Sequence, residues 1–172
     1  MRKLIHSMFI LVLITGLSLS SCKKDKDDPS PSNNIVGTWT AGTSTVSVTV
    51  AGKTLTQYFI DALKLTASEA QLYNTIVNES IKQGFAGTIT LKSDNTYTSN
   101  LGGVADSGTW MISADGKKLT IDSSTDVPAI SDILELTAKS LKIKIEQTEN
   151  EDLNDDDIPE ALLIKAEISF TR

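Results

Sequence analysis

Across most of residues 35–172, apolar and polar side chains trade places at every step. Along Leu141-Lys142-Ile143-Lys144-Ile145-Glu146 the alternation is strict, as a strand with one buried and one wetted face requires. Leu162, Ile164, Ala166, Ile168 and Phe170 repeat it against Leu163, Lys165, Glu167, Ser169 and Thr171. Shorter runs behave alike: Val46, Val48 and Val50, Ile89 with Leu91, Trp110 with Ile112, Leu119 with Ile121, and Leu134 with Leu136 are each expected on a common buried face. Between the runs stand Ser93-Asp94-Asn95, Ala114-Asp115-Gly116-Lys117 and Thr137-Ala138-Lys139-Ser140, residue types that tighten hairpins. The pattern predicts a mostly β domain, a meander of about eight antiparallel strands. A sheet of that size with one apolar face can close on itself, and closure removes the unpaired edges that would otherwise invite aggregation. We therefore expect a single up-and-down antiparallel β-barrel rather than a sandwich.

One stretch departs from period two. In residues 57–83 the apolar positions take helical spacing, with Leu72, Tyr73, Ile76, Val77 and Ile81 expected on one face. Thr66-Ala67-Ser68-Glu69 reads as a capping box at the helix start and Gly84 as its stop. Tyr58, Phe59, Ala62, Leu63 and Leu65 predict a shorter helix just before it. The helical pair is expected as an insertion after the first strand.

The first residues obey a different logic. Arg2 and Lys3 precede an unbroken apolar run over residues 8–14, extended by Leu17 and Leu19 and followed by the small Ser20 and Ser21, which is the layout of an export signal. A helix over residues 8–19 would be only about 18 Å long against roughly 30 Å of hydrocarbon core, so a removable segment is expected rather than a permanent span. Leu19-Ser20-Ser21-Cys22 resembles the lipobox of bacterial lipoproteins. That resemblance implies cleavage after residue 21 and acylation of Cys22, which would hold the protein on a membrane. Residues 23–34 contain no apolar side chain except two prolines, so they read as a solvated tether. Their Lys/Asp run resembles the short charged export signals of Bacteroidota surface lipoproteins, although lysines interrupt the acidic residues. An outer-membrane lipoprotein is implied, with a surface-exposed and a periplasmic face both open. The chain thus divides into a signal (1–21), a lipidated Cys with tether (22–34) and one domain (35–172).

Composition narrows the chemistry. With Arg2 and Lys3 set aside, the 16 basic side chains fall to 14 against 22 acidic ones, a formal charge of −8 that repels phosphate backbones and argues against nucleic-acid partners. The only His is His6, inside the signal, and the only Cys is Cys22. The mature chain therefore has no imidazole and no free thiol, which excludes His- and Cys-based catalytic groups and zinc sites. No enzyme is expected.

Several short motifs, in order, carry a family resemblance. Ile35-Val36-Gly37-Thr38-Trp39 resembles the Gly-x-Trp opening of the calycin superfamily, which includes the lipocalins and fatty-acid-binding proteins. Gly87-Thr88-Ile89-Thr90-Leu91 with Asp94-Asn95-Thr96-Tyr97, then Ser107-Gly108-Thr109-Trp110 and Lys118-Leu119-Thr120-Ile121, resemble the lipocalin-like lipoproteins of Bacteroidota. The resemblance implies a barrel that binds a small hydrophobic ligand, with Trp39, Tyr73, Tyr97 and Trp110 as candidate ligand contacts. A Trp at the start of strand one is well suited to plug the closed end, and that structural role is the preferred reading of Trp39. The helical pair is similar to the portal lid of fatty-acid-binding proteins, and a plain cover is the alternative. Arg172 is the only arginine of the mature chain, so the inward arginines that fix fatty-acid carboxylates in that family have no counterpart. A filled barrel serving as scaffold for a protein-interaction or inhibitor module is the competing expectation. The sequence leaves the oligomeric state open.

Residues 146–160 hold eight carboxylates and no basic side chain. Asp152, Asn154 and Asp156, with the Ile158 carbonyl and Glu160, resemble the alternating oxygen ligands of calcium loops. Asp157 occupies the turn position where such loops carry glycine, and Leu163 stands where they end on Glu. A weak Ca²⁺ site and a solvated acidic hairpin tip are the two readings, of which the hairpin tip is preferred.

Overall fold

The alternating runs become strands. The computed structural model describes residues 34–124 and 127–172; the export segment, Cys22 and residues 23–33 lie outside the described residues. In chain order the elements are β1 (Gly37–Val50), β2 (Lys53–Thr54), α1 (Leu55–Asp61), α2 (Ala67–Gly84), β3 (Gly87–Leu91), β4 (Thr96–Leu101), β5 (Val104–Ile112), β6 (Lys118–Ser123), β7 (Ala129–Leu136), β8 (Ser140–Glu151) and β9 (Glu160–Thr171). From β3 to β9 each strand pairs antiparallel with the next, and β1 pairs with both β3 and β9, so eight strands form a closed up-and-down barrel. β2 is a two-residue annex on the end of β1. The helical insertion follows β1 and this annex.

The predicted turn chemistry is in place. Asn95 and Gly116 take left-handed backbone angles (φ 64° and 71°), while Asp94 and Asp115 accept backbone N–H bonds across their own turns. Thr54 caps α1, and Thr66 with Glu69 makes the capping box of α2.

The lower half of the barrel is packed with side chains. Trp39, Leu91, Tyr97, Trp110, Leu141, Ile168 and Phe170 belong to one buried cluster. At the closed end the Trp39 indole N–H donates to the Ile35 carbonyl (2.7 Å), and the Arg172 guanidinium lies over the ring at 4.5 Å from its centroid. Arg172 also donates to the carbonyls of Asn34, Val36 and Ala138, tying the last residue to the start of the domain and to the β7–β8 turn. Gly37 permits this closure: at φ +147° it leaves room where a Cβ would lie 2.6 Å from Arg172 Nη1.

A second cluster sits beyond the open end. β1, β8 and β9 are the longest strands and run past their neighbours, and α1 and α2 pack on the inner face of this extension. Val48, Val50, Leu55, Tyr58, Phe59, Ala70, Ile81 and Leu162 are buried there.

Two expectations about buried faces are corrected. Leu134 does not share the buried face with Leu136: a register shift between Ile133 and Glu135 turns it outward, 48% exposed, and brings Ile133 into contact with the core. On α2, Leu72 and Ile76 are exposed (59% and 49%), and the face that meets the barrel runs through Ala70, Tyr73, Val77 and Ile81. The helix is rotated so that Asn74 and Asn78, rather than Leu72 and Ile76, sit beside β1.

Candidate ligand-binding site

Two regions of the barrel, its open end and a groove beside α2, present partly accessible side chains. The first is its open end, where β1, β4, β6 and β8 finish and the helices cover one side. Register fixes which side chains point inward there. On β5, Asp106 and Gly108 share a face with buried Trp110; on β8, Ile145, Gln147 and Glu149 continue the face of buried Leu141 and Ile143. Along β5 and β8 the inner wall therefore changes from apolar at the closed end to polar toward the opening, while β1 and β9 stay apolar through Val48, Val50, Leu162 and Ile164. Leu101, Ile121 and Ile145 pack against the core yet stay partly accessible.

Asp106 is the centre of the polar wall. Its carboxylate accepts from Tyr97 Oη, from Ser123 Oγ (2.8 Å) and from the Ser107 backbone N–H (2.7 Å). Burial works to raise its pKa, but the hydrogen bonds from Tyr97, Ser123 and Ser107 prevail and hold it below the usual carboxylate range. The Tyr97 hydroxyl is pushed far up, first by burial and then by its bond to Asp106. Glu149 shifts the other way: burial and the charge of Glu151 raise it, opposed by a hydrogen bond from Gln147 (2.6 Å). Its second oxygen, Oε2, is buried with no hydrogen-bond partner.

The second region is a groove of about 380 Å³ between β1 and α2, lined by Ser44, Thr45, Val46, Asn74, Asn78 and Lys82 among others. It exists because β1 meets β3 only through Gly37–Thr40, leaving its edge beyond Thr40 to be covered by the helix until β2 joins at Thr49. Covering an open edge with a helix blocks strand addition. Asn78 Oδ1 is buried in this region with no hydrogen-bond partner, while its amide nitrogen bonds Asn74.

The aromatic candidates divide between these regions. Trp39, Tyr97 and Trp110 meet in the barrel core, and the Trp110 indole N–H donates to the Lys92 carbonyl (3.0 Å). Tyr73 lies in the helical cluster, edge-on to Phe59 with centroids 6.0 Å apart. Sequence reasoning passed over Asp106, Ser123 and Glu149. The signal was present in Glu149, which prolongs the Ile143-Ile145 alternation, and in Asp106, four residues before Trp110.

The acidic loop joins β8 to β9 at the open end of the barrel. Asp152 accepts the backbone N–H groups of Asp156 (3.2 Å) and Asp157 (3.0 Å), Asn154 accepts from Asp156 (3.0 Å), and Asp156 accepts from Ile158 (2.9 Å). Asp157 takes the left-handed turn (φ 64°) that such loops usually give to glycine. Glu160 faces inward, accepting from Leu153 N (2.9 Å) and from Tyr58 Oη (2.5 Å), which fastens the loop to α1. Burial first, and then Glu160, push the Tyr58 hydroxyl far up. Among the described residues no three His, Cys, Asp or Glu side chains converge into a metal-holding group.

Known proteins bear on this geometry at the level of family. The family model described as a lipocalin-like domain matches residues 35–143. The chain belongs to the lipocalin-like domain family. Its match begins at the Ile35 that receives the Trp39 indole N–H and ends within β8, while the lipocalin-like barrel itself runs on through β9 to Thr171. Among solved structures, the chain is similar to a DUF4847 family protein from Bacteroides vulgatus ATCC 8482, with 14% identity, 82% of this chain and 95% of that chain covered, and a TM-score of 0.38. No curated protein matches the chain.

Proposed function

We propose that this lipocalin-like domain is a lipid-anchored binding protein of the cell envelope, held on the outer membrane through acylated Cys22, and that it takes a small hydrophobic molecule at the open end of its barrel. The observation that carries the binding half is the partly accessible inward wall of Leu101, Ile121 and Ile145 above a packed floor. A concave apolar surface with a few fixed polar groups is the usual form of a small-molecule site. Binding is preferred to catalysis because the mature chain carries neither imidazole nor free thiol, which leaves carboxylate chemistry as the competing catalytic option. Native mass spectrometry of the purified protein, followed by titration with a neutral fluorescent hydrophobe such as N-phenyl-1-naphthylamine, tests it. One saturable equivalent is expected; no co-purified molecule and no saturable uptake would overturn the reading.

A second reading has its own observation. Met111 and Ile130 are 59% and 58% exposed on the outer wall, separated by Thr120 in register, and Leu134 is exposed farther along β7. An outward apolar strip on a filled barrel suits a protein-interaction or inhibitor module. Failure of hydrophobe uptake together with weakened partner capture by Met111→Lys would favour it.

Cation binding by the acidic loop is the subsidiary question. Its carboxylates already serve as acceptors for the loop's own N–H groups, so the turn is held by protein donors. Isothermal titration with Ca²⁺ is expected to give no binding heat at millimolar concentrations. A saturable exotherm abolished by Asp152→Asn would establish a site.

A further inference from the structure

We propose that the closed end of the barrel is the face set against the membrane, resting on anionic lipid head groups, so that the open end and its acidic loop point away from the bilayer. This rests on the reading that acylated Cys22 is the anchor.

The first observation is where the chain enters the fold. The Asn34 carbonyl accepts from Arg172 Nη2 (3.1 Å), and Arg172 Nε donates to Ala138 in the β7–β8 turn (2.6 Å), so the domain begins at its closed end. Only residues 23–33 separate Cys22 from Asn34, and 12 steps of chain reach at most about 42 Å. β9 runs the other way over 12 residues, about 40 Å of strand and about 30 Å along a tilted barrel axis. Setting the open end on the bilayer would make the tether run back over that whole height, near its limit.

The second observation is the charge at the two poles. The closed-end turns carry four cationic side chains, Lys92, Lys117, Lys139 and Arg172, against two carboxylates, Asp94 and Asp115. Lys92, Lys117 and Lys139 are all exposed. Lys118 and Asp132, the next charged residues along the wall, cancel in an ion pair (2.7 Å). At the other pole, residues 149–160 hold seven carboxylates and no basic side chain. In the adjoining helical segment, Lys53 and Lys64 are both bonded to Asp61.

These charges weigh the two orientations differently. The potential of an anionic surface fades over about 8 Å at physiological ionic strength. With the closed end down, the lysines lie inside that layer and the acidic loop stands about 30 Å outside it. With the open end down, seven carboxylates enter the layer and the lysines leave it. Net repulsion between the bilayer and an acidic domain therefore becomes a torque that turns the loop outward, and the attachment point favours the same direction. A ligand or partner at the open end then arrives from the aqueous side rather than from the anchoring leaflet.

The test uses the full lipoprotein, purified from membranes and placed in vesicles of phosphatidylethanolamine and phosphatidylglycerol with a nitroxide on a fraction of the head groups. Single substitutions receive a thiol-reactive bimane at exposed positions: Ser93→Cys and Ala138→Cys in closed-end turns, Ser124→Cys and Ile158→Cys at the open end. Quenching is expected to be at least threefold stronger at the first pair than at the second. The combined Lys92→Gln, Lys117→Gln, Lys139→Gln variant, or 0.5 M salt, is expected to reduce that contrast by about half. Equal quenching at the two ends, or stronger quenching at Ser124→Cys and Ile158→Cys, overturns the proposal while the anchor reading stands. A contrast unmoved by the lysine variant and by salt overturns the role of head-group charge. The parent chain supplies the separate check on the anchor: an acylated Cys22 has no thiol to react, so bimane uptake by the parent overturns the anchor reading and this proposal with it.

Discussion

Trp39→Ala is expected to remove about 3–5 kcal/mol of folding stability, the range for deleting a fully buried large aromatic side chain. Trp39 is 0% exposed and lies where the first strand enters the closed end, between the Ile35 carbonyl it bonds and the Arg172 guanidinium above its ring. The walls around it are hydrogen-bonded strands on every side, so the barrel has little freedom to collapse into the space. Three losses coincide: apolar burial, a hydrogen bond to a carbonyl then left without its donor, and the platform for Arg172. For a domain of this size the change corresponds to a fall in melting temperature on the order of 10–15 °C, read by circular dichroism. Trp39→Phe keeps most of the volume and is expected to lose only about 1–3 kcal/mol, the penalty of an unsatisfied buried acceptor. In a double-mutant cycle, Trp39→Ala and Arg172→Ala are expected to be non-additive, because each removes the other's partner. A Trp39→Ala protein that melts within a degree or two of the parent would show that the closed end is not where the fold is held.

The same Trp illustrates what was legible in the sequence. Period-two alternation located most of the barrel, since a strand with one buried face has no other way to be written, and the turn residues marked where the hairpins fold. The capping box at Thr66 and Glu69 located α2 for the same reason, a local hydrogen-bond pattern encoded by adjacent residues. The failures are tertiary. Leu134 continues the apparent alternation, but one extra residue in β7 inverts the phase at that point, and no single-strand pattern reports a bulge. Leu72 and Ile76 made the more hydrophobic helix face, yet α2 turns Asn74 and Asn78 toward β1. The polar wall was hidden because inwardness was judged by hydrophobicity. Asp106 reads as a surface residue until its register with Trp110 is known, and Glu149 reads as part of an acidic tip until Leu162 is found opposite it.

Cys22→Ser is expected to move the protein from the membrane fraction to the soluble fraction. Among the described residues no helix is long and apolar enough to cross a membrane, and with residues 1–21 removed the chain would carry a formal charge of −8, which anionic head groups repel. The exposed aliphatics of α2, Leu72 and Ile76, are too few to hold a protein at an interface by themselves. A single acyl chain gives only marginal, reversible binding with a constant of about 10⁴ M⁻¹, so firm attachment requires several chains on one residue, which is what acylation of a lipobox cysteine supplies. Fractionation of cells expressing the parent and the Cys22→Ser variant reads the outcome, with mass spectrometry of the amino-terminal peptide to establish the acyl chains on the parent. A variant that keeps residues 1–21 runs heavier on a gel and is thereby distinguished from one that is cut and released. A variant that is cut after residue 21 and nonetheless sediments with the membrane would place the attachment in the barrel itself, and its outward apolar strip at Met111 and Ile130 would then be the surface to mutate next.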